Sequence, residues 1–126
     1  MKLKLKQVQK TDKMVTKLTE QAGCVVAEFI ELRRFTLAVT EEVKSELKPL
    51  LSQAGTKLIL NLKHIEFIDS SGIGCIISLV KTAKSSEAEI KLCNLSGDVM
   101  DVIELLHLQM IFDIEKDVAT SIKSFQ

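Results

Sequence analysis

The chain has no tryptophan, no tyrosine, one proline, five glycines and three cysteines in 126 residues. Tryptophan and tyrosine are the usual stacking platforms for exposed bases, and here 17 basic residues are cancelled by 17 acidic ones. Neither stacking nor a net positive field is on offer, so nucleic acid is not an expected partner. No uninterrupted apolar run approaches the roughly 20 residues that cross a bilayer, and no membrane partner is expected. Met1-Lys2-Leu3-Lys4-Leu5-Lys6 alternates lysine with leucine. That pattern lacks the continuous apolar stretch of a secretory signal and reads as an edge strand with lysines on its wet face. Cys24, Cys75 and Cys93 are odd in number, widely spaced and set in apolar stretches. They fit neither a disulfide framework nor a zinc spacing and are read as reduced core residues of a cytoplasmic protein. No motif for a metal, flavin or nucleotide is found, and no cofactor is expected.

What is present is an apolar content of 46%, enough for a real core in one domain. The domain is taken as residues 1–126, with 1–12 as an extra N-terminal strand segment around Lys2–Val8. Val15–Leu18 and Cys24–Ile30 are further strand candidates, the second following the turn Gln21-Ala22-Gly23. Two of these segments form a β-hairpin, and the pattern leaves open which two. Glu31–Thr36 is a charged connection. Thr40 is expected to cap a helix with Glu41 and Glu42 in its first turn and Val43, Leu47, Leu50 and Leu51 on its apolar face. Pro49 is expected to end that helix near Glu46–Lys48 or to kink it. A strand over Lys57–Leu62, a helix from Gly72 to Lys84 and a strand over Glu89–Cys93 follow. Next come a helix capped by Ser96 with Val99, Val102, Ile103 and Leu106 on one side, a short strand over Ile111–Ile114, and a helix from Asp117 to Phe125. The order ββ-α-β-α-β-α-β-α predicts an α/β fold, a mixed and largely parallel sheet with about four helices packed on it.

The most informative stretch runs from Leu58 to Gly74. An apolar, β-branched segment passes through Lys63–Ile68 and stops at Asp69-Ser70-Ser71-Gly72, after which Ile73, Ile76, Ile77 and Val80 recur with helical period. Such a junction puts Ser70 or Ser71 at a helix N-terminus near the carboxyl edge of a sheet, where partners and ligands are met. A nucleophilic role would need a base, and only His64 and His107 are available; the Gly-x-Ser-x-Gly elbow is also missing. Gly72-Ile73-Gly74 lacks the lysine of a phosphate-binding loop. Gly74 is read instead as permitting a close approach to the first helical turn. Glu41/Glu42 and Asp98/Asp101 are explained by helix dipoles. A plain N-cap accounts for one polar side chain here, not for an acid, two serines and two glycines together.

At this motif the sequence resembles the STAS family, and within it the small bacterial anti-sigma factor antagonists. Asn61-Leu62, then Phe67-Ile68-Asp69-Ser70-Ser71-Gly72, then Ile73-Gly74 match the family pattern in order and spacing, and the likeness extends over roughly residues 13–125. The resemblance implies a binding module, not an enzyme. Ser70 would be the phosphoacceptor of an anti-sigma factor with serine kinase activity, phosphorylation would end the binding, and a phosphatase would restore it. Asp69 and Ser71 would flank the acceptor, Gly72 would open the helix, and Asp69, Ser70, Ser71, Gly72 and Ile73 would meet the partner. Relatives carry Gly-x-Leu-Asp after the second strand; this chain has Glu31-Leu32-Arg33-Arg34-Phe35-Thr36. Arg33 and Arg34 are then either part of a solvated loop or of a docking surface that selects a more acidic partner. A monomer or weak dimer is expected. Two other readings stand beside this one: a STAS scaffold subunit of another signalling or lipid-transport complex, and a small serine hydrolase using Ser70 or Ser71.

Overall fold

Near-continuous apolar runs along three adjacent strands, with successive side chains pointing to opposite faces, build a sheet covered on both sides, described for residues 14–126 in a computed structural model. Its elements are β1 (Thr16–Gln21), β2 (Cys24–Phe29), β3 (Arg34–Phe35), α1 (Thr40–Leu51), β4 (Lys57–Asn61), β5 (Phe67–Ile68) and α2 (Ser70–Ser85). After them come β6 (Glu89–Cys93), α3 (Gly97–Leu105), a 3₁₀ turn (Leu108–Met110), β7 (Ile114–Glu115) and α4 (Val118–Phe125). The main sheet has the order β1-β2-β4-β6-β7, antiparallel between β1 and β2 and parallel elsewhere. Val25 pairs with Leu58 and Leu58 with Ile90; Ala27 pairs with Leu60 and Leu60 with Leu92. Those residues share one core with Val43 and Leu47 of α1, Ile76 and Leu79 of α2, and Val99 and Ile103 of α3. The intervening residues Val26, Ile59 and Cys93 face the other way, under Val118, Ile122 and Phe125 of α4. Each large core side chain contributes about 1.5–3 kcal/mol, so the two-sided alternation is the main source of stability.

The hairpin is β1–β2, closed by Ala22 and Gly23 at φ of 50° and 80°. Two successive positive φ values give the turn whose twist matches the strands. The expected strand over Lys2–Val8 lies outside the described residues.

Several sequence expectations are corrected. Val39, not Thr40, occupies the cap of α1, because Val43 N–H already reaches Val39 O at 3.0 Å; Thr40 is helical and buried. Pro49 does not end the helix: Leu50 and Leu51 are both fully buried, and that packing carries the last turn past the proline. The last strand begins at Ile114, since the Ile111 and Phe112 N–H groups are turned back onto Leu108 O after the 3₁₀ turn. Leu106 is 52% exposed and caps α3 rather than lining it. Two strands, β3 and β5, were not anticipated; with two residues each they leave no periodic signal.

Candidate functional site

The polar junction is assembled from two segments far apart in sequence. β4 ends at Asn61, whose Oδ1 accepts from Lys63 N–H at 3.0 Å and from Asn94 Nδ2 at 3.0 Å. This side-chain turn peels the chain off the main sheet. Leu62 and Ile65 are driven into the core, and β5 then pairs in parallel with β3, Arg34 opposite Phe67 and Phe35 opposite Ile68. Arg33 O accepts from Glu66 N–H at 2.7 Å and Phe35 O from Asp69 N–H at 3.3 Å. The loop carrying Arg33 and Arg34 is thereby laced to the segment that leads into α2.

Asp69 is the cap of α2: its backbone is extended and its Oδ1 accepts from Gly72 N–H at 2.9 Å. The acid therefore satisfies one of the orphan donors of the first turn, and neither serine is needed for that task. Ser70 is the first helical residue and is exposed; Ser71 is half-buried. Among the described residues neither hydroxyl makes a hydrogen bond. Gly72 does not open the helix but sits inside it, buried, where a Cβ would meet Phe35 O at 2.3 Å and Ile68 Cγ1 at 2.7 Å. The close approach expected at Gly74 belongs to Gly72, since nothing lies within 4 Å of a Cβ built at Gly74. Ile73 is 5% exposed and packs in the core, so the surface that a partner could touch here is Asp69, Ser70 and Ser71 rather than Gly72 and Ile73.

Arg33 and Arg34 are both exposed, and β3 brings them to this same surface. Arg33 Nη1 pairs with Glu66 Oε2 at 3.6 Å, while the Arg34 guanidinium lies 4.2 Å from the centroid of the Phe67 ring. Phe67, 42% exposed under the Arg34 guanidinium, is the apolar member that sequence reasoning missed. Phe67 was readable from its alternation with buried Ile68. The histidines are engaged or placed elsewhere. His64 Nε2 lies 3.0 Å from Glu28 Oε2, and His107 occupies the left-handed position after α3 at φ 59°. Neither imidazole is bonded to a serine hydroxyl, so the nucleophile–base contact of a serine hydrolase is not formed among the described residues. Those residues also contain no group of three or more His, Cys, Asp or Glu able to hold a metal ion, and no helix long and apolar enough to cross a membrane.

The STAS domain pattern matches residues 7–121. The chain belongs to the STAS domain family. The anti-sigma-B factor antagonist of Bacillus subtilis is 32% identical over 72 residues, 57% of this chain and 65% of that protein. The anti-sigma F factor antagonist of Paenibacillus polymyxa is 29% identical over 69 residues, 52% of this chain and 59% of that protein. The matched stretch is thus under two thirds of either relative. In three dimensions the chain superposes on an anti-sigma-factor antagonist (STAS) domain protein from Planctomyces limnophilus with a TM-score of 0.79. That match has 20% identity and covers 86% of this chain and 96% of the other, which makes the mixed sheet with four helices a STAS fold. The expectation drawn from Phe67–Gly74 for family and fold is therefore met.

Proposed function

We propose that this STAS domain is a cytoplasmic anti-sigma factor antagonist that docks an anti-sigma factor through the surface around Ser70. Phosphorylation of Ser70 by that partner's serine kinase activity ends the complex, and a phosphatase restores it. The observation that carries this reading is exposed Ser70 at the first position of α2, its hydroxyl without a hydrogen bond among the described residues because Asp69 has taken the capping role. The naming of its relatives as anti-sigma factor antagonists supports the same reading. In the reaction the Ser70 Oγ attacks the γ-phosphorus of ATP, ADP leaves, and the hydroxyl proton passes to a base on the kinase; ATP and catalytic groups are the partner's.

A phosphoserine adds nearly two negative charges and three acceptor oxygens. Burying that charge unpaired at an interface costs several kcal/mol, which is a loss of a hundredfold or more in affinity. Within the free domain the group stays in water, and the helix N-terminus favours it by roughly 0.3–1 kcal/mol. The interface term is the larger, so the contact is lost while the fold persists.

The test is intact mass after incubation with the cognate serine kinase and ATP: a gain of one phosphate, abolished in Ser70→Ala. Ser70→Asp is expected to weaken partner binding without altering the circular dichroism spectrum. Phosphate arriving on another residue, or unaltered binding by both the phosphorylated chain and Ser70→Asp, would refute the reading.

A further inference from the structure

The two consecutive arginines at the start of β3, Arg33 just before it and Arg34 within it, are used differently. Arg33 is spoken for by Glu66 at 3.6 Å. Arg34 pairs with no carboxylate among the described residues; its guanidinium rests over the exposed Phe67 ring, 4.2 Å from the centroid, with its N–H donors unclaimed by any described acceptor. A guanidinium carries five such donors in a planar fork suited to two oxygens of one anion. Stacking on an aromatic face holds that fork in place without consuming it.

The location follows from the register. Arg34 lies opposite Phe67, and the Asp69 N–H to Phe35 O bond at 3.3 Å keeps β3 alongside the chain up to the cap of α2. Ser70 is three residues beyond Phe67, at most about 10 Å from Cα to Cα, and the step from Phe67 across to Arg34 adds about 5 Å. An extended arginine, a phosphoserine and the hydrogen bond between them together cover that span. Arg33 cannot substitute without giving up Glu66, and neither Glu31, three residues before Arg34, nor Glu66, beside its strand partner Phe67, is bonded to Arg34.

We infer that Arg34 is the internal counter-ion of phosphorylated Ser70, the phosphoryl group drawing its guanidinium off the Phe67 ring into a bidentate pair. This rests on the reading of Ser70 as phosphoacceptor and adds its consequence for the docking surface. A charge-assisted bidentate pair outweighs an exposed cation–π contact. Modification then changes the surface in two places: a dianion appears at Ser70, and the cation that covered Phe67 leaves it. A partner that reads Arg34 and Phe67 together loses both features in one event.

The experiment installs phosphoserine at position 70 of the full chain by genetic encoding and titrates its ³¹P resonance, in the parent sequence and in Arg34→Ala, Arg34→Lys and Arg33→Ala. A neighbouring cation favours the dianion, so Arg34→Ala is expected to raise the second phosphate pKa by about half a unit or more, Arg34→Lys to recover part of the difference, and Arg33→Ala to leave it unchanged. The Phe67 ring protons are expected to shift on phosphorylation in the parent and not in Arg34→Ala. Superimposable titrations of the parent and Arg34→Ala overturn the inference, as does an equal effect from Arg33→Ala. Because no kinase is used, either result leaves the assignment of Ser70 standing; that assignment falls separately, by the mass measurement above.

Discussion

Replacing Gly72 by alanine tests how tightly β3 packs against α2. The added Cβ would lie 2.3 Å from Phe35 O and 2.7 Å from Ile68 Cγ1. Ordinary contact needs about 3.5 Å, so relief requires α2 and β3 to part by about 1 Å. The Ile68 side chain has rotamers to use; the Phe35 carbonyl is backbone and accepts from Asp69 N–H at 3.3 Å. Overpacking of this kind costs roughly 1–3 kcal/mol, and loss of the Asp69–Phe35 bond adds about 1 kcal/mol. Against that, alanine exceeds glycine in helix propensity by up to about 1 kcal/mol. The net expectation for Gly72→Ala is a destabilisation of about 2 kcal/mol. Gly74→Ala makes the same chemical change two residues later with nothing within 4 Å, so only the propensity gain survives and stability rises by about 0.5–1 kcal/mol. Urea unfolding of the two variants, compared at a common m-value, reads the contrast directly. A Gly72→Ala midpoint equal to or above that of Gly74→Ala would refute the packing argument outright.

Two further outcomes are expected. Glu46 is 4% exposed and its carboxylate accepts from Val15 N–H (2.8 Å), Thr16 N–H (2.9 Å) and the Thr16 hydroxyl (2.6 Å), so it anchors the start of β1 to α1. Glu46→Ala leaves three donors without their acceptor and is expected to cost about 3 kcal/mol in urea unfolding and to speed amide exchange at β1 ahead of β4; uniform exchange along both strands would contradict it. Burial pushes the Cys75 and Cys93 thiols from 9.0 up to about 11. Between those values the unfolded chain releases protons that the folded one keeps, so stability is full below pH 9.0 and falls as pH rises toward about 11. The slope is expected to be shallower in Cys93→Ala, and an identical slope would show the thiol is not responsible.

Much of this architecture was legible because alternation and helical period are properties of the strands and helices themselves. Leu58, Leu60 and Ile59 announce a strand buried on both faces, and Ser96 and Asp117 announce helix starts that the structure confirms as caps accepting from Val99 and Thr120 N–H. What was hidden depends on contacts distant in sequence. β3 and β5 exist only because each supplies the other's hydrogen bonds across some 30 intervening residues. The buried Glu46 reads as one more polar residue of a charged helix until β1 delivers its donors. Thr40 was misplaced because a threonine before two glutamates is a strong local cap signal, and the tertiary burial of that residue overrode it. At the junction itself the residue types were plain, but their allocation was not: which of Asp69, Ser70 and Ser71 would cap, and which glycine would be pressed against a neighbour, are decided by β3.

That allocation bears on how a switch at Ser70 would be insulated from the fold. Had a serine been the cap, its oxygen would accept from the Gly72 N–H, and modification would forfeit a cap of about 1 kcal/mol along with changing the surface. With Asp69 in that place, the bond at 2.9 Å to Gly72 N–H survives any change on the next residue. Two residual effects of a phosphoryl group on the domain oppose each other. Repulsion from Asp69 is on the order of 1 kcal/mol per pair of unit charges at 4 Å in water, and attraction to the helix N-terminus is roughly 0.3–1 kcal/mol. For the dianion the repulsion is about 2 kcal/mol and exceeds the attraction by about 1–2 kcal/mol, an excess that a counter-ion at Arg34 would offset. The free energy of such a modification would then be expressed almost wholly where another protein touches this surface, which is what a reversible antagonist requires: a binding face that can be removed and returned without unfolding the domain that bears it.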